Sequence, residues 1–389
     1  MLPTPVLYNM LKKIKTEMCE QIILGDCLAV LKTLPDNSID SIITDPPYGL
    51  SEQPDIVEIM SHWVKGEYVS PNFSGGFMGH SWDSFVPAPD IWKECFRVLK
   101  PGGTALVFAG SRTQDLMTVS LRFGGFQIID TFMWLFGSGT PHAIDISDKL
   151  RQSNKEELAD LFEGWKTKNV KPAYNPIVLA SKPNDGTYMA NAIKWGVSGF
   201  CINGCLVPLT TEDRSQVRTL NQSKKKEING WGMNQNSERI AQVVKPEGRF
   251  PSNVIHDGSV EVINIFPKTK SGKMKSGTVR KNRSGYAGDM PEKTGKETIG
   301  DSGSASRFFY CARASKKEKG INNSHPTVKP LSLIKYLCNL TKTPTGGIVL
   351  DPFAGSGTTG LACRETGRPF ILIEREKEYV DIIKKRLEE

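Results

Sequence analysis

The chain has no apolar run near the roughly 18 to 20 residues that a membrane-crossing helix needs. Its start, MLPTPVLYNMLKKIKTEMCE, also lacks the unbroken apolar stretch of a secretory signal. These two absences point to a soluble protein of the cytoplasm, with no membrane partner. Cysteine is sparse, with eight in 389 residues, set among aliphatic neighbours as at Cys95, Cys338 and Cys363. That spacing is no disulfide framework, so reduced thiols are expected. The one close pair, Cys201 and Cys205 in GFCINGCLV, would need two more ligands to hold zinc, and no second cluster supplies them. No metal is expected.

What is present is an ordinary core composition, 38% apolar and 24% charged, in a chain longer than one compact unit of typical size. The net charge of +8 is modest, and its distribution is uneven. Residues 211–320 carry 22 Lys and Arg against 12 Asp and Glu, a balance of +10, which leaves −2 for the rest. The same segment contains KSGKMKSGTVRKNRSG, rich in Gly, Ser, Lys and Arg and poor in apolar periodicity. Such a stretch reads as loop, either a solvated surface or a contact for a polyanion.

Outside that segment strands and helices alternate. DSIITDP is a short apolar run closed by two prolines, PAPDIWKECFRVLKPGG an amphipathic helix stopped by Pro101 and two glycines, and TALVFAG a buried strand. RTQDLMTVSLRFGGF then reads as a helix and QIIDTFMWLF as a strand. The end repeats the pattern with LSLIKYLCNL, GIVLDPF, GTTGLACRETG, PFILIE and KEYVDIIKKRLEE. The alternation predicts an α/β, doubly wound, mostly parallel sheet covered on both faces. Residues 1–150 and 321–389 read as two pieces of that domain, with 151–320 as a large insertion between them.

Two motifs follow strands. DPPYG occupies 45–49, at a strand's carboxyl end, where open parallel sheets bind ligands. Asp45 and the Pro46 carbonyl can each accept one hydrogen of an aromatic amino group, Pro46 and Pro47 lock the turn, and Tyr48 offers a flat face for a base drawn out of its stack. An Asx turn with a core tyrosine would explain a bare DPP. DPFAGSGTTG occupies 351–360. Gly355 and Gly357 permit a sharp turn, and a helix starting near Thr358 offers free N–H groups to a carboxylate. With Gly360 present, the loop by itself also suits a nicotinamide cofactor, but no hydride chemistry calls for DPPYG. Glu374, closing PFILIE about 20 residues on, is placed for ribose hydroxyls.

DPPYG first, then HPTVKP at 325–330 and DPFAGSGTT, resembles the beta group of S-adenosylmethionine-dependent amino-DNA methyltransferases. The resemblance covers about the first 140 and last 65 residues and implies a Rossmann-like fold. It makes Asp45, Pro46, Pro47 and Tyr48 the catalytic motif. Asp351, Phe353, Ala354, Gly355, Ser356, Gly357, Thr358 and Thr359 become the cofactor loop, with Thr327 and Lys329 near the methionine end of the cofactor and Asp26 near its adenine. Aspartate at the head of DPPY implies methylation of adenine N6 in double-stranded DNA, with base flipping, and the basic middle becomes the target recognition region. A homodimer and a cognate restriction nuclease are partners known for this group. Trp134 and Trp82 are candidate pocket residues or core packing. The readings left open are a cytosine-N4 enzyme, an RNA adenine methyltransferase and a catalytically dead DNA-binding subunit. A glutamine methyltransferase would carry NPPY.

Overall fold

Strands form where apolar and β-branched residues run together, and IDSIIT is buried at all six positions, as a parallel strand covered on both faces must be. The computed structural model describes residues 20–49, 55–68, 85–141, 143–208, 248–271, 279–280, 293–294, 301–313 and 328–388. Its strands are β1 (Gln21–Leu24), β2 (Ile39–Thr44), β3 (Leu99–Phe108), β4 (Gln127–Leu135), β5 (Tyr174–Ser181), β6 (Val254–His256), β7 (Lys268–Ser271), β8 (Val279–Arg280), β9 (Lys293–Thr294), β10 (Asp301–Ser304), β11 (Tyr310–Cys311), β12 (Val349–Asp351) and β13 (Phe370–Glu374). Nine form one sheet in the order β1-β13-β12-β2-β3-β5-β4-β6-β11. From β1 to β3 every pairing is parallel. β5 runs against both of its neighbours.

The main covering helices are α1 (Cys27–Leu31), α2 (Ile56–Val64), α3 (Pro89–Val98), α4 (Gln114–Phe123), α5 (Tyr188–Trp195), α6 (Leu331–Leu340), α7 (Thr358–Thr366) and α8 (Lys377–Glu388). Alternation along each strand divides the core between two layers. Ile42, Ile371 and Ile373 join Leu31, Trp63, Trp92 and Leu121 beneath α1–α4. On β13 the intervening Leu372 faces α7, where a side chain added at Gly360 would meet its Cδ1 at 2.8 Å. The result is the doubly wound, mostly parallel α/β fold expected from the sequence. The seven described cysteines are all free.

Two local expectations need correction. Helix α3 ends at Val98, three residues before Pro101, and the strand begins at once at Leu99. The reason is pairing, since Leu99 lies opposite Ile39 and is fully buried. Residues 174–181, given above to the insertion, instead fill the sheet between β3 and β4.

By contact density the described residues divide into two units, one drawn from 1–201, 253–262 and 311–389, the other from 202–252 and 263–310. The second unit holds an antiparallel ribbon in which Lys268 pairs with Ser304 and Lys270 with Ser302. Arg307 closes one face of the ribbon: its Nη1 donates to Thr269 Oγ1 at 3.1 Å and to the Gly303 carbonyl at 2.8 Å. Its guanidinium also stacks 4.3 Å from the Phe308 ring centroid. KSGKMKSGTVRKNRSG falls mostly outside the described residues.

Candidate active site

The two sequence motifs end neighbouring parallel strands. Val349 lies opposite Ser41 and Leu350 opposite Ile42, so residues 307 positions apart meet: Thr44 Oγ1 donates to Asp351 Oδ1 at 2.7 Å. From this junction β2 leads to β3 on one side and β12 to β13 on the other, which makes it the switch point of the sheet. A cavity of about 680 Å³ opens there, lined among others by Asp45, Tyr48, Phe108, Phe353, Gly355 and Glu374. That volume lies within the range of small-molecule sites, roughly 300–1,000 Å³.

The DPPYG turn is fixed from three sides. Gly49 has φ +64°, and a Cβ there would stand 2.9 Å from the Phe85 Cα, so glycine is required on both counts. Thr113, at the N-cap of α4, donates its hydroxyl to the Tyr48 carbonyl at 2.6 Å. Both Asp45 oxygens are engaged: Tyr48 Oη donates to Oδ1 at 2.6 Å, and Lys329 Nζ pairs with Oδ2 at 2.6 Å. Lys329 is 9% exposed and Asp45 25%, so water screens this pair only in part. The same ammonium lies 5.2 Å from the Tyr48 and Phe108 ring centroids. Among the described residues none donates to the Pro46 carbonyl.

The glycine loop is built from β12, β13 and α8 together. Ala354 N–H bonds the Ile373 carbonyl at 3.0 Å and Gly355 N–H donates to Glu374 Oε2 at 2.8 Å. Gly357, at φ +79°, caps α7 and turns its backbone against Ile383 of α8, where a Cβ would approach to 2.8 Å. Arg386 of α8 holds the loop from behind, its Nη1 donating to the Ser356 carbonyl at 2.6 Å and to Thr358 Oγ1 at 3.3 Å. Glu374 lines the cavity with a carboxyl that burial pushes up, against the pull of the Glu376 and Gly355 amides.

Most residues singled out from the sequence meet at this cavity. Asp26 is among them, although its Oδ1 also caps α1 by accepting the Ala29 N–H at 3.0 Å. Gly357 supports the loop without lining the cavity. Asp351 is 3% exposed and spends its oxygens on protein donors. Trp134 lines the cavity and packs against Phe136 at 5.1 Å. Thr327 and Trp82 lie outside the described residues. Thr44, Phe108, Thr113 and Arg386 went unremarked in the sequence. Arg386 sits in KKRLEE, where nothing separates it from solvated neighbours.

Known DNA methyltransferases are similar to this chain. The Type II methyltransferase M.HindIII of Haemophilus influenzae is 23% identical over 388 residues, covering 95% of this chain and 96% of the relative. M.HinfI from the same species is 24% identical over 381 residues, covering 98% and 71%. Among solved structures, the crystal structure of an M1.HpyAVI–SAM complex aligns over 94% of this chain and 99% of its own, with a TM-score of 0.40 and 17% identity. A family model described as DNA methylase matches residues 39–385. With its two motifs joined at one switch point and the model spanning nearly its whole length, the chain belongs to the N6/N4 DNA methylase family.

Proposed function

We propose that the chain transfers a methyl group from S-adenosylmethionine to the N6 amino group of adenine in double-stranded DNA. The observation that carries this reading is Asp45, an aspartate at the head of DPPY that faces the same cavity as the glycine loop. The loop residues fit the cofactor. The amino end of α7 and the left-handed Gly357 before it suit a carboxylate, and the Glu374 carboxylate suits ribose hydroxyls.

Adenine's amino nitrogen is a poor nucleophile because its lone pair is delocalised into the ring. Asp45 and the Pro46 carbonyl accept its two hydrogens and draw it toward tetrahedral geometry, while Tyr48 stacks on the flipped base. When bound, S-adenosylmethionine supplies a methyl group made electrophilic by its sulfonium. The nitrogen gains positive charge as the methyl leaves sulfur, which departs as a neutral thioether. Asp45 and the faces of Tyr48 and Phe108 stabilise that charge, and one amino hydrogen then leaves as a proton by way of Asp45 to solvent. The Lys329 ammonium already occupies a place of that kind, 2.6 Å from Asp45 and 5.2 Å from each ring. The amino group takes that place on entry, which releases Lys329 toward the methionine end of the cofactor, where the resemblance places it.

The second unit is the target recognition region on this reading. Lys268 and Lys270 are exposed and alternate on the ribbon face away from Thr269, the residue Arg307 holds. They contact phosphates, which position the duplex without reading its sequence. Replacing both with glutamine lowers the slope of log affinity against log salt by about 1.8, at roughly 0.9 per phosphate. An unchanged slope removes the ribbon from the interface. The resemblance implies work in the cytoplasm, bacterial or phage-encoded, beside a cognate nuclease and as a homodimer; sedimentation with and without DNA decides the last point.

Incubation with unmethylated DNA and S-adenosylmethionine, digestion to nucleosides and mass spectrometry test the reaction. N6-methyladenine is expected. N4-methylcytosine keeps the fold and overturns the reading of Asp45, and no product on DNA moves RNA or a dead subunit to the front.

A further inference from the structure

Asp351 heads the glycine loop and lines the cavity, yet its carboxylate oxygens are engaged by donors of the protein itself. Oδ1 accepts the Thr44 hydroxyl at 2.7 Å and the Phe353 N–H at 3.1 Å, and Oδ2 accepts the Thr359 hydroxyl at 2.6 Å. These donors come from three separate pieces of the site. Thr44 is the residue directly before Asp45, Phe353 belongs to the glycine loop, and Thr359 stands in the first turn of α7. Thr44, Asp351 and Thr359 are all nearly free of solvent, at 1%, 3% and 5%. No cation pairs with Asp351 among the described residues. A charge kept under cover by neutral donors alone is costly to maintain, and burial raises this carboxyl to about 6. A residue needed only for packing would not carry that cost.

We propose that Asp351 is a positioning residue, a clamp that fixes the catalytic turn against the cofactor loop and so sets how the amino nitrogen meets the methyl group. Transfer demands that the reacting atoms be held close and in line, and an error of about 1 Å costs on the order of 100-fold. Strand pairing aligns β2 with β12 only as far as Leu350 and Ile42. Beyond that register the Thr44–Asp351–Thr359 bridge is the described connection between the two motifs. The clamp rests on the methyltransferase reading for its consequence, and on geometry alone for its existence.

Two variants of the full chain test it, Asp351→Asn, which keeps the shape and removes the charge, and Thr44→Val, which keeps the volume and removes the donor. Single-turnover methyl transfer should fall at least tenfold in each, and the double variant should be no slower than Asp351→Asn alone. Calorimetric titration with S-adenosylmethionine should find Kd within about threefold of the parent. A Kd that weakens by the same factor as the rate makes Asp351 a cofactor ligand and overturns the clamp, as do multiplicative rate losses in the double variant. A urea-denaturation cycle over the same variants reads the bridge without catalysis: non-additive losses support it, additive losses overturn it. A parent protein that transfers no methyl group contradicts the functional reading instead, and the urea cycle then decides the clamp by itself.

Discussion

Among the described residues Asp351 ionises amid three donors and no cation. Its carboxyl is raised from 3.8 to about 6 by burial, opposed by the bonds from Thr359, Thr44 and Phe353. The acids that face it are Asp45 and the thiols of Cys95, Cys338 and Cys363. Between pH 4 and 6 the folded protein therefore holds a proton that the unfolded chain has released. Stability from this group is greatest below the unfolded value and is lost as pH rises through about 6. About two units correspond to roughly 3 kcal/mol. Urea midpoints measured from pH 4.5 to 7.5 should show that fall in the parent and not in Asp351→Asn; equal profiles would leave the carboxyl without a cost. Gly49 gives a second expectation. Alanine there meets the Phe85 backbone in a left-handed turn, and strain of about 1–3 kcal/mol should appear in the same assay. Full stability with full activity would show that the turn tolerates a Cβ.

The elements differ in how far the sequence revealed them. Helix α6 spans LSLIKYLCNL, α7 lies within GTTGLACRETG and β13 within PFILIE, because each carries an apolar run bounded by a proline or glycine. β5 was not legible. Its run YNPIVLAS carries Pro176 in third place, a residue that argues against a central strand, and it runs counter to the alternation of strand and crossover helix. The two motifs were legible as local turns after strands, and their meeting followed from topology. What holds them was not, since Thr113, Thr44 and Arg386 act across long separations that no local pattern records. Arg386 is 8% exposed and ties α8 to Ser356 and Thr358. Arg386→Met should lower stability by about 2–3 kcal/mol through unmet acceptors and weaken cofactor affinity about tenfold by calorimetry. Unchanged affinity would make α8 a passive cover.

The whole molecule brings residues 307 positions apart into one crevice. The resemblance covered the first and last parts of the chain, and in the structure those parts are β1–β4 and β12–β13 of one sheet. Because the cavity belongs to the folded state alone, cofactor at 100 times its Kd should stabilise the chain by about 2.7 kcal/mol, read as a shift in thermal midpoint. The measurement that bears most directly on the shared site is Asp45→Ala, assayed for methyl transfer to DNA and titrated with S-adenosylmethionine by calorimetry. The site described here predicts transfer lost by a factor of 1,000 or more, about 4 kcal/mol of barrier, with cofactor affinity kept within a few-fold. Loss of both to the same degree would make Asp45 a structural residue and contradict the assignment of DPPYG as the catalytic turn.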